Sequence, residues 1–80
     1  MNEYLNFLKI EMAKTRKQIA RENRDLKEMA ATISDNLSGA GIHSSIDFMK
    51  TNMGHLVEYS AKLEQLEDTY TSLMYIKKQK

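Results

Sequence analysis

The chain predicts an all-α fold, an antiparallel two-helix hairpin of coiled-coil type that assembles into a four-helix or larger bundle. Three observations carry this. No proline occurs among the 80 residues, and abundant Leu, Lys, Glu, Met and Ala make the composition of uninterrupted helix. Helix breakers and capping residues gather in one place, Asn36-Leu37-Ser38-Gly39-Ala40-Gly41-Ile42-His43-Ser44-Ser45. On both sides of that stretch apolar residues recur at steps of three and four, the pattern of a helix packed along its length on another. The expected organisation is one domain over 1–80, with a first helix over about 2–38, a turn over about 39–43 and a second helix over about 44–78.

In the first helix the seam runs Leu5, Leu8, Met12, Thr15, Ile19, Glu22, Leu26, Met29, Ile33 and Asn36. Thr15, Glu22 and Asn36 interrupt it. Such positions either lie where the seam is partly wet, or, for Glu22, meet a cation across the interface and fix the register. Away from the seam, Lys14, Lys17, Arg21 and Arg24 form a basic stripe at steps of three and four. Continued toward the N-terminus, the stripe becomes Ile10 and Phe7, with Tyr4 beside them. A two-helix seam has no need of apolar residues there, so they point to a second contact surface.

Two glycines compete to end the first helix. With Gly41 as the left-handed residue, Leu37 and Ile42 make the apolar contact usual for that motif, whereas Gly39 pairs Asp35 with Ala40. A tight turn centred on Ala40 to His43 follows. Ser44 then caps the second helix, and Asp47, three residues on, suits its positive end.

The apolar residues of the second helix run Ile46, Met49, Met53, Leu56, Tyr59, Leu63, Leu66, Tyr70 and Leu73. Two steps of three in succession, from Met53 to Tyr59, predict a local phase change, and Gly54 inside it predicts a bend. Folding at Ala40 sets residue i beside residue 80 − i. The basic segment Lys14 to Lys27 then lies along Met53 to Leu66, with Glu58 and Glu64 in that span and Glu67 and Asp68 beyond it. The run Leu73-Met74-Tyr75-Ile76 has apolar side chains on every side of the helix, more than one seam absorbs. It comes to lie beside Tyr4, Phe7 and Ile10 at the open end of the hairpin.

No catalytic, cofactor or metal site is expected. The chain has no cysteine, which removes disulfides, thiolate zinc sites and a cysteine nucleophile together. His43 and Asp47 have the i, i+4 spacing of metal ligands, but no third ligand stands near them in sequence and His55 is well beyond. Glu64, Glu67 and Asp68 lack an accompanying nucleophile or oxyanion device. Gly39-Ala40-Gly41 lacks the pattern and preceding strand of a phosphate loop. The six methionines fall mostly on seams, as adaptable core filler.

Composition narrows the partners. Eighty residues without disulfide or metal are close to the lower limit for an independent core, which favours a homo-oligomer or a stable heterocomplex. A net charge of +1 argues against a dedicated nucleic-acid binder. Met1-Asn2-Glu3-Tyr4 does not open a signal peptide, and no run approaches the ~18 apolar residues of a membrane span. A cytoplasmic protein without membrane span is expected, with leaderless export left open.

The leading functional expectation is a non-enzymatic protein-interaction module, an adaptor, chaperone or phage-type modulator. It acts through Tyr4, Phe7, Ile10, Met74, Tyr75 and Ile76. A second expectation is a dimeric four-helix bundle that binds nucleic acid through Lys14, Lys17, Arg21 and Arg24. That architecture resembles the small plasmid-encoded hairpins that bind paired RNA loops. A third comes from the length, the two-helix form and the glycine-bearing central turn. Together with Gly41-Ile42-His43-Ser44-Ser45-Ile46-Asp47-Phe48, these are similar to the helical-hairpin partners of type VII-like secretion systems. The Trp-x-Gly turn motif of that group is absent here, as is any tryptophan.

Overall fold

A computed structural model describes residues 1–35 and 42–79. Two helices account for them, α1 over Asn2–Asp35 and α2 over Ile42–Gln79. They pack side by side in a body of 63 × 14 × 14 Å. A helix of 38 residues is about 57 Å long at 1.5 Å per residue, so this length is that of one helix and the two lie alongside each other. The Lys77 ammonium donates to Asn2 Oδ1 at 2.8 Å, and Lys9 Nζ lies 5.9 Å from the centre of the Tyr70 ring. Both contacts set residue i against 79 − i, within one residue of the expected register. The all-α antiparallel hairpin is therefore what the chain forms.

The expected turn falls largely on positions 36–41, as do Asn36 and both competing glycines, and these lie outside the described residues. The start of α2 differs from expectation. The helix already includes Ile42, so Ser44 is its third residue and stands inside the first turn, not at the capping position in front of it.

The seam of α1 is as the spacing predicts. Leu5, Leu8, Met12 and Thr15 are buried, and Ile19, Glu22, Leu26, Met29 and Ile33 are half-buried. Thr15, expected to be partly wet, is 0% exposed. Its hydroxyl donates to the Glu11 carbonyl one turn back at 2.7 Å, which satisfies the group inside its own helix and lets it enter the core.

The seam of α2 corrects the sequence reading. Ser45, Met49, Leu56, Tyr59, Leu63, Leu66, Tyr70 and Leu73 are half-buried and Asn52 is buried, at 3% exposure. These positions alternate steps of four and three without interruption. Ile46 and Met53, expected in the seam, are exposed. The phase change does not occur, because the heptad passes through the polar neighbours Ser45 and Asn52. The expected bend at Gly54 loses its reason with it. Gly54 lies on the exposed side of a continuous helix, and a Cβ added there meets nothing within 4 Å.

Candidate interaction surface

The open end of the hairpin is built where the N-terminal turns of α1 run beside the last turns of α2. Leu5 and Leu8 close the seam there, and the surrounding apolar residues are left outside. Tyr4 and Phe7, three residues apart on one face, stack with ring centroids 6.2 Å apart and planes inclined by 27°. Phe7 is 52% exposed and Tyr75 65% exposed, and Tyr4, Ile10 and Ile76 are also exposed. Met74 alone of the expected set is half-buried. It lines a shallow groove with Asn2, Leu5, Lys9, Tyr70 and Lys77.

At about 100° per residue these positions separate around the hairpin. Tyr4 and Phe7 fall on one side of α1, opposite the groove-lining Asn2 and Lys9, and Ile76 shares their side from α2. Ile10 and Tyr75 are on the outer backs of the two helices. The six residues thus form a collar around the open end, with Met74 among the polar residues of the groove on one side and Tyr4 and Phe7 on the other.

Midway along the molecule the seam contains a polar layer. The Glu22 carboxylate, whose side chain is 15% exposed, accepts a hydrogen bond from Asn52 Nδ2 through one oxygen. Its other oxygen stands 3.2 Å from His55 Nδ1. The His55 ring is tilted over Tyr59, with centroids 6.1 Å apart. Glu22 therefore does meet a partner across the interface, and that partner is an amide with an imidazole beside it. Sequence reasoning missed Asn52 and His55. The signal was there: a glutamate at a seam position needs a polar group from the facing seam, and strict heptad spacing from Leu56 back to Met49 passes through Asn52.

The basic stripe stays on the surface. Lys14 Nζ is 3.7 Å from Glu11, and Arg24 Nε is 4.0 Å from Asp25, both within α1. Among the described residues Lys17 and Arg21 make no ion pair. The ion pairs that cross between the helices use other residues, Arg16 with Glu67 at 3.7 Å and Lys62 with Glu11 at 3.6 Å. Among the described residues neither Glu58 nor Glu64 takes part in such a pair.

Among the described residues, no three or more His, Cys, Asp or Glu side chains come together to hold a metal ion. The side chain of His43, one half of the expected i, i+4 pair, lies outside them. Among the described residues no helix is long and apolar enough to cross a membrane. No family model, curated protein or solved structure matches the chain.

Proposed function

We propose that the chain is a non-enzymatic protein-interaction module, a helical hairpin that self-associates or docks on the helices of a partner through its open end. One observation carries the reading. The apolar side chains buried among the described residues are Leu5, Leu8 and Met12, while Tyr4, Phe7, Ile10, Tyr75 and Ile76 stand exposed around the same end. Five large apolar side chains exposed around one end, beside only three buried among the described residues, are the pattern of an end meant to be covered. A closed hairpin of this size gains stability from packing on further helices, and a bundle of two or more hairpins is the simplest assembly that provides it.

The test is to replace Phe7 and Tyr75 with Glu together. Both side chains are outside the seam, so circular dichroism should show the helices intact. The mass measured by light scattering should fall toward that of one chain, or capture of the partner should be lost. An unchanged mass and unchanged capture would place the binding surface elsewhere.

A further inference from the structure

Two overlapping seams coexist on α2. The column Met49, Leu56, Leu63 and Tyr70 belongs to both. The seam that faces α1 adds Ser45, Asn52, Tyr59, Leu66 and Leu73. The other adds Ile46, Met53, Ser60, Glu67 and Met74, and a swivel of about 50° about the helix axis exchanges one for the other. In the second half of α2 the choice is settled by burial, since Tyr59, Leu66 and Leu73 are apolar whereas Ser60 and Glu67 are polar. In the first half the preference is reversed. Polar Ser45 and Asn52 face inward, while Ile46 is 39% and Met53 56% exposed. Apolar burial alone would turn this half of the helix the other way.

The only cross-helix polar contact of the described residues that depends on Asn52 is its hydrogen bond to Glu22. A swivel would carry Asn52 outward and strip a largely buried carboxylate of its amide partner, where water replaces it poorly. His55, 3.2 Å from the same carboxylate, would move with it. We propose that the Glu22–Asn52–His55 layer is a rotational lock. It holds the first half of α2 in the polar seam and keeps Ile46 and Met53, with the neighbouring Val57, on the outside. The lock converts a local conflict between two helix faces into one defined rotation. Loss of a single side chain, that of Glu22, moves an apolar stripe from the surface into the seam.

The chain has no native cysteine, so a single Met53→Cys substitution reports on that position by its rate of alkylation. With Glu22 present, alkylation is expected to be fast. In the Glu22→Leu background it slows by roughly tenfold or more, as for a thiol reached only through local opening, and helicity by circular dichroism is retained. In the Glu22→Leu, Asn52→Leu background the original seam is apolar, and alkylation becomes fast again. Equal rates with and without Glu22 overturn the proposal. So does slow alkylation in both variant backgrounds, which would reflect general tightening. Loss of helicity in Glu22→Leu also overturns it, because no alternative apolar seam would then be available.

Discussion

Thr15 and Gly54 show how far a residue's surroundings, as opposed to its type, decide its role. Thr15 is polar and fully buried at no evident cost, since its hydroxyl is satisfied by the Glu11 carbonyl. Gly54 sits in the middle of a continuous helix with open space where a Cβ would be. Glycine at an interior helix position costs about 1 kcal/mol relative to alanine through backbone entropy. With no close approach to justify it, Gly54→Ala should stabilise the protein by roughly 0.5–1 kcal/mol, read as a higher midpoint in thermal or urea unfolding. A lower midpoint would mean that a neighbour needs the space. Neither role was legible from the sequence. Thr15 reads as a flaw in the seam because its satisfying partner is a backbone carbonyl, and Gly54 reads as a bend only because apolar spacing puts Met53 inside.

At the scale of the helices, α1 was legible and α2 only in part. Every described seam position of α1 is buried or half-buried as its spacing predicts. Beyond Ile10 its large apolar residues form one stripe and leave no second choice. In α2 the apolar residues of the first half occupy two adjacent columns, and counting apolar periodicity selects Ile46 and Met53. The structure selects Ser45 and Asn52, because Asn52 answers Glu22 across the interface. Periodicity sees one helix at a time, so a preference set by the partner helix escapes it. Opposite charge was a weaker guide. The pairs that cross the interface, Arg16 with Glu67 and Lys62 with Glu11, are well exposed on at least one side, and such pairs contribute from nothing to about 1 kcal/mol. Arg16→Ala and Lys62→Ala should each change stability by no more than about 0.5 kcal/mol. A loss several times larger in denaturant unfolding would mean that these ion pairs, and not the seam, hold α1 to α2.

For the molecule as a whole, the antiparallel hairpin and its register were readable from the break between two heptad stretches. The contacts Asn2 to Lys77 and Lys9 to Tyr70 lie within one residue of the register so obtained. The shape of the open end was not readable. Sequence placed Tyr4, Phe7, Ile10, Met74, Tyr75 and Ile76 together, and the fold distributes them as a collar with Met74 in a separate groove. That distribution depends on the angle each residue takes around two helices at once. One chain forms the collar by itself only if it closes on itself and brings its two end segments side by side. Spin labels at Glu3 and Lys78, measured by pulsed dipolar spectroscopy with labelled chains diluted into unlabelled ones, test this directly. A closed hairpin gives one narrow distance on the order of 20 Å, set by an interhelical spacing of about 10 Å plus the label arms. A distance beyond about 60 Å, or no intrachain coupling at all, would mean that the helices pair between chains or run on as one rod, and would contradict the closed single-chain hairpin.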